Sequence, residues 1–380
     1  MHSFLLVDSV TPRVSDILGI INKIAPAALA EGWDNVGLQV GDPAAFAPRI
    51  MVALDAGKDA IEAAVAAKCQ LLLTHHPFLF NPVKKINISN PLGSLIARAI
   101  KNDLAVISLH TNLDIADGGV NDLLAESLGL ASSVPIRITS SEELIKLAVF
   151  VPKGHEEKVL EALFRFSGFI GNYSDCSFQN SGTGTFKPLP GAKPFIGTEG
   201  KRESAEETRI EVLLRNEDIS AAVSALLKAH PYEEPAFDLY PLLNEGKASG
   251  LGRIGTLAQE LSLGSFIEVI KEKFDLQLLR FVGDTVRRVK KVAVCGGSGA
   301  SLLQDAKRQG ADLLVTGDIK YHDARDAEMI GISLIDLGHF KSEAPMIRGL
   351  AARLRKELDV KGYEADIQVC ECEKDPFSFL

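Results

Sequence analysis

The 380-residue chain is 46% hydrophobic and 24% charged, with a mean hydropathy of +0.11 and a formal charge of −9, the values of an ordinary globular protein of two or three domains at about 150 residues each. The acidic balance argues against a broad basic surface for nucleic acid, and no run approaches the roughly 18 apolar residues of a membrane helix. Five cysteines are too few, and odd in number, for a disulfide framework, and Met1–Leu6 followed by Asp8 lacks the basic and apolar regions of a secretory signal, so a reducing cytoplasm is the plain expectation.

In chain order, Ile17, Ile20, Ile21 and Ile24 recur at helical spacing until Pro26 interrupts. Ile50–Leu54 predicts a buried strand, 57–68 an Ala-rich helix, Leu71–Thr74 a second strand, and Pro91–Ile100 a helix with Asn90 as N-cap. A third strand over Ala105–Leu109 precedes a helix over Val120–Leu128 that Gly129 closes. Residues 140 to 245 read differently: a strand at Leu147–Val151, a helix at Glu156–Phe166, a hairpin of Tyr173–Phe178 and Gly182–Lys187 about Asn180-Ser181-Gly182, a flexible stretch over Pro188–Glu206, a strand at Thr208–Leu214, a helix at Ser220–His230 and a strand at Ala236–Tyr240. This is read as the βαββαβ order of a ferredoxin-like unit. The earlier theme then returns, with strands at Lys291–Cys295, Leu313–Thr316 and Ile332–Ile335 and helices at Ala300–Gln309, Tyr321–Met329 and about Ser342–Leu358.

The expected fold class is therefore α/β. Residues 1–139 and 246–380 form the halves of one domain with largely parallel sheets covered on both faces, and 140–245 form a ferredoxin-like insertion. The halves suggest a pseudo-twofold: Val52-Ala53-Leu54 matches Val292-Ala293-Val294, Leu72-Leu73-Thr74 matches Leu314-Val315-Thr316, and Ile107–His110 lies on Ser333–Asp336.

Ligands of open α/β sheets bind beyond the carboxyl ends of the strands, and metal-type side chains gather there: Thr74-His75-His76-Pro77, His110-x-x-x-Asp114, Thr316-Gly317-Asp318, and His339-x-x-x-Glu343. Adjacent side chains on extended backbone point opposite ways, so His75 and His76 should each hold one of two neighbouring ions. Glu343 lies four residues after His339, within reach of the same side of a turn, and a carboxylate can bridge two cations. Imidazoles and carboxylates without clustered thiolates suit Zn²⁺, Fe²⁺, Mn²⁺ or Ni²⁺ better than Ca²⁺ or Cu⁺, and a pair of such ions would form a hydrolytic centre. His110 reads as a ligand, an outer donor or a strand-end residue. His2, His155 and His230 read as structural. Gly296–Ser301 is either a phosphate-cradling loop or a tight strand-to-helix turn, without a third fingerprint glycine or a Walker lysine. Cys370 and Cys372 read as reduced and structural, and Trp33 as a pocket wall or a loop anchor.

Together, Glu31–Gly41 (EGWDNVGLQVG), Leu73–Pro77, His110–Asp114, Thr316–His322 and Gly338–Glu343 resemble, in order, the motif blocks of the Nif-three-like family, also called GTP cyclohydrolase I type 2 homologues. His230–Asp238 (HPYEEPAFD) resembles the CutA/PII-like insert of its longer bacterial members. The resemblance implies a dinuclear site, with His76 and Asp114 on one ion, His75 and His339 on the other, and Glu343 bridging. His110, Asp318, His322 and Asp34 would lie in the surrounding layer. It also implies a homohexameric ring, a nucleotide substrate such as GTP and a metal-dependent hydrolase. The rival expectation is a non-catalytic metal-binding regulator or scaffold whose insert binds a ligand or partner.

Overall fold

Residues 10–378 are described by a computed structural model; His2 and the opening segment lie outside the described residues. Along the chain come α1 (Val14–Ile24), β1 (Gly37–Val40), β2 (Arg49–Ala53), α2 (Lys58–Ala66), β3 (Leu71–Thr74), α3 (Pro91–Lys101), β4 (Ala105–Ser108), α4 (Thr111–Ile115), α5 (Val120–Ser127) and β5 (Leu130–Val134). The middle of the chain holds β6 (Arg137–Pro152), α6 (Glu156–Leu163), β7 (Ser177–Phe186), β8 (Glu203–Arg215), α7 (Ile219–Ala229) and β9 (Phe237–Leu251). The last part holds β10 (Arg253–Ser262), α8 (Leu263–Phe274), β11 (Arg280–Val282), β12 (Arg288–Val294), α9 (Leu303–Arg308), β13 (Leu313–Thr316), α10 (Tyr321–Ile330), β14 (Ser333–Asp336), α11 (His339–Glu343), α12 (Pro345–Val360) and β15 (Asp366–Val369). The fold is mixed α/β with three sheets, divided into a unit made of residues up to Ser140 together with those from Ser249 onwards, and a second unit, Ser141–Ala248. No helix among the described residues is long and apolar enough to cross a membrane.

Strand side chains alternate between faces, and in the first unit both faces are apolar because both are covered. In the sheet β1-β4-β3-β2-β15, Ile50, Val52, Leu71, Leu73 and Ile107 meet α1 and α12, while Met51, Leu72 and Val106 meet α2 and α3. β15, β2, β3 and β4 run parallel, with β1 antiparallel at the edge. In the sheet β11-β14-β13-β12-β10-β5, Val292, Val294, Leu313 and Val315 meet α8, and Ala293, Leu314 and Leu334 meet α9 and α10. Each such aliphatic side chain contributes about 1.5–3 kcal/mol by leaving water.

The expectation of largely parallel sheets fails for the second sheet. Only β12-β13-β14 is parallel, while β11, β10 and β5 add antiparallel pairings. The cause is β5, β10 and β11, which the sequence reading left unassigned; β10 returns along β12, and β11 along β14, by direct ladder pairing. The proposed overlay of the third strands is also two residues out of step. Thr74 pairs with Ser108 and Thr316 with Asp336, so Ser108, not His110, is the counterpart of Asp336. The helix expected from Ser342 is two helices, because Pro345 has no N–H to continue the first.

Arg253 joins the two halves of this unit. Its fully buried guanidinium donates to both oxygens of Asp122 (2.7 and 2.8 Å) and to the carbonyls of Gly250, Gly252, Ile115 and Ala116. Breaking such a buried pair by removing one partner costs about 3–5 kcal/mol.

In the second unit the order is β6-α6-β7-β8-α7-β9 and the strand order β7-β8-β6-β9. Leu147, Val149, Ile210 and Val212 bury one face against Val159 and Leu163 of α6 and Leu226 of α7. The expected hairpin is absent. Ser177 to Phe186 pair continuously with β8, so the long ladder overrides the local turn tendency of Asn180-Ser181-Gly182. The stretch expected to be flexible ends earlier than Glu206, because β8 begins at Glu203. His230 is buried, with Nε2 against the Phe150 carbonyl and Nδ1 accepting from Tyr232 N–H. His155 sits at the start of α6 with its ring edge-on to Phe195.

Candidate metal centre

The ends of β3 and β4 and the loops after β13 and β14 deliver the candidate residues to one place within the first unit. Beyond Thr74 the backbone is no longer extended: His75 and His76 N–H groups both donate to the Leu54 carbonyl, at 3.1 and 3.0 Å. The two rings therefore lie on the same side, with centroids 5.0 Å apart, rather than pointing opposite ways. His110 caps α4, and Asp114 lies on that helix. His339 opens α11 and Glu343 closes it.

Four imidazoles share one design. In each, Nδ1 is anchored: His75 by the Leu109 carbonyl (2.8 Å), His76 by Asp55 (2.8 Å), His110 by Asp34 (2.9 Å) and His339 by Asp318 (2.6 Å). An acceptor on Nδ1 fixes the tautomer and leaves Nε2 free to ligate, the arrangement typical of metal-bound histidine. The Nε2 atoms of His76 and His339 lie 3.1 and 3.2 Å from Glu343 Oε2 and 3.3 Å from each other. His75 Nε2 lies 3.6 Å from both Glu343 Oε1 and Asp114 Oδ1. His76, His339 and Glu343 form one group of donors that could hold an ion, and His75, His76 and His110 another. These distances set His75 beside Asp114, and His76 beside His339.

Three atoms test whether a cation fits. His75 Nε2, Asp114 Oδ1 and Glu343 Oε2 are buried without a hydrogen-bond partner. Unsatisfied buried polar atoms are costly, and a cation would satisfy all three. The electrostatics agree. Burial pulls against charge on His76, but Asp55 and Glu343 outweigh it and hold the imidazole up at about 10. The Glu343 carboxylate, facing His339 Nε2 at 3.2 Å, likewise lifts that imidazole to about 9. Burial pushes the Asp114 carboxyl up to about 6. Burial would raise Glu343 too, yet His75 and its neighbours hold it well below the usual carboxylate range. The site is an anionic cradle that favours positive charge.

The glycine loop after β12 serves this cradle. Gly296, Gly297 and Gly299 N–H donate to Asn121 Oδ1, Ser342 Oγ and Thr316 Oγ1, so they are already satisfied, and the loop is a tight turn rather than a phosphate cradle. A Cβ on Gly297 would stand 2.4 Å from Glu343 Oε1, and one on Gly317 2.8 Å from the backbone nitrogen of His339. Both glycines are required by close approach. Trp33 is 61% exposed and lies against Phe80 and the edge of His110, which makes it part of the rim. His322 is not brought to the cluster; it is exposed on α10 beside Tyr321, because helical winding carries it away from the loop that bears Asp318. Sequence reasoning missed Asp55 and Glu373. Asp55 follows a strand as the other candidates do, and the same rule would have found it. Glu373 had no such signal. It accepts the N–H groups of Leu54 and Asp55, both at 2.8 Å.

A family model for Duf34/NIF3 (NGG1p interacting factor 3) matches residues 12–376. The chain is 42% identical over 365 residues to a Halalkalibacterium halodurans protein and 43% identical over 365 residues to one from Bacillus subtilis, covering 96% of this chain and 98% of each relative; both are named GTP cyclohydrolase 1 type 2 homolog. Among solved structures, a Bacillus cereus protein related to NIF3 superposes with a TM-score of 0.93 at 40% identity, covering 98% of this chain and 100% of that one. A Staphylococcus aureus protein does so with a TM-score of 0.76 at 30% identity, covering 97% and 99%.

Proposed function

The chain belongs to the Duf34/NIF3 family, and from that premise we propose that the cluster is a dinuclear metal centre that hydrolyses a nucleotide-like substrate. The observation that carries this reading is the set of buried atoms without partners, His75 Nε2, Asp114 Oδ1 and Glu343 Oε2, among imidazoles already anchored through Nδ1. His75 and Asp114 would hold one ion with Glu343 Oε1, and His76 and His339 the other with Glu343 Oε2. His110 would add a donor to the first. The donors suit Zn²⁺, Fe²⁺, Mn²⁺ or Ni²⁺. Divalent ions bound here would supply a polarised water and a clamp on a substrate oxygen. The chain's own part is to fix the donors: Asp55, Asp34 and Asp318 hold the imidazole tautomers, and Gly297 leaves room for the shared carboxylate. The relatives' name directs the first substrate trials to GTP, whose imidazole ring is opened by water attack. The outer halves are then one pseudo-twofold metal-binding domain and the insert a ferredoxin-like, CutA/PII-like module, in a homohexameric ring that mass photometry would weigh.

The test couples elemental analysis with a screen of nucleotides and phosphoesters. Two ions per chain, with hydrolysis lost on chelation and in Glu343→Ala, would support the reading. One ion per chain, or a rate that survives complete metal removal, would refute it. A metal-binding regulator remains the second reading. It is favoured by one observation, a cavity of about 420 Å³ inside the second unit.

A further inference from the structure

That cavity lies in 141–248, remote in sequence from every residue of the metal centre, and its walls are aromatic. Tyr232 stands between Phe186 and Phe195, with ring centroids 6.0 and 6.1 Å away, and Phe150 lines the same space. Into this setting the fold places a carboxylate. Glu207 on β8 is half-buried and accepts the Tyr232 hydroxyl at 3.0 Å through Oε1. Its other oxygen lies over Gly184 of the neighbouring strand, where a Cβ would stand 2.0 Å away. The glycine is what allows the carboxyl to lie flat in the cavity.

No lysine, arginine or histidine pairs with Glu207 among the described residues. Glu233 and Glu234 add two carboxylates to the lining against the single ammonium of Lys187. Glu233 also accepts the Lys193 N–H at 2.8 Å, which ties the segment carrying Phe195 to the loop carrying Tyr232. Aromatic faces attract cations through their quadrupole, and the Glu207 carboxylate has a hydroxyl but no cation as its partner.

We propose that the inserted unit binds an organic cation, a substituted ammonium group, between Phe186, Phe195 and Tyr232 with its charge met by Glu207. An anionic or neutral ligand would leave that carboxylate uncompensated. The metal centre plays no part in the proposal, so either can fail alone.

The test uses the full-length protein and ligand-observed NMR titration. Choline and the larger benzyltrimethylammonium are the cationic probes. 3,3-Dimethylbutan-1-ol, the uncharged counterpart of choline, is the control, and sodium chloride matches the salt. The cations should bind and the alcohol should not. Glu207→Gln, which keeps a hydrogen-bond acceptor for Tyr232, should weaken cation binding about tenfold, as expected for loss of a charge partner. Phe195→Leu, an exposed wall position, should weaken it as well and serves if Glu207→Gln lowers the melting temperature. Equal binding of the alcohol, no binding of either cation, or unchanged affinity in both variants would overturn the proposal.

Discussion

At the scale of single residues, the geometry of the cluster depends on the carboxylates that anchor its imidazoles. Asp55 and Asp318 hold Nδ1 of His76 and His339, and an amide could meet either nitrogen without enforcing the tautomer. Asp55→Asn and Asp318→Asn should each lower metal affinity about 10–100-fold, as read by competition with a chromophoric chelator. Protons compete for the same cradle. With His76 at about 10 and His339 at about 9, both imidazoles are charged at neutral pH, and a metal needs them neutral. Loading at pH 7 should therefore release protons, seen as a buffer-dependent heat in calorimetry, and affinity should climb until the pH passes about 9–10. The metal-free fold has the opposite trend. Both pKa values are raised above the unfolded value of about 6.5, so the stability they contribute is full below that pH and is lost as the pH rises through about 9–10. A metal-free melting temperature that is flat from pH 7 to 10 would contradict this.

At the scale of elements, the strands β3, β4 and β13 were legible because four consecutive apolar or small residues, buried on both faces, have no other stable place, and β14 because Ile332 to Ile335 read the same way. The strand-end rule then pointed to His75, His76, His110, Asp114, Asp318, His339 and Glu343, which the fold does bring together. What the sequence concealed was set by partners distant in the chain. β10 finds β12, Asn180-Ser181-Gly182 is straightened by β8, and His322 is turned away by helix geometry although it sits in a matching motif. The short helix α11 shows how tightly one element is placed. It carries His339 at one end and Glu343 at the other, and the turn after β12 passes so close that only glycine fits at Gly297, where φ is +60°. Gly297→Ala should displace the shared carboxylate and weaken both ions together, whereas His75→Ala and His76→Ala should each chiefly empty one. Metal counting by mass spectrometry distinguishes the two patterns.

At the scale of the whole molecule, the chain leaves its first unit after Ser140 and returns at Ser249, and Thr139 Oγ1 lies 3.4 Å from the Ser249 carbonyl. A short linker across this gap should excise 141–248 and leave a folded outer unit with its full metal content. Loss of both would mean that the second unit is integral to the first. Glu373 carries a different consequence. It clamps the backbone of Leu54 and Asp55 from 319 and 318 residues away, and through Asp55 it steadies His76. A ribosome adding about 5–20 residues per second exposes the paired histidines roughly 15 to 60 s before it delivers that clamp. The order of birth thus runs against the order of need: the nascent chain presents His75 and His76 early and unbraced, and Asp55 gains its clamp only once Glu373 has been made.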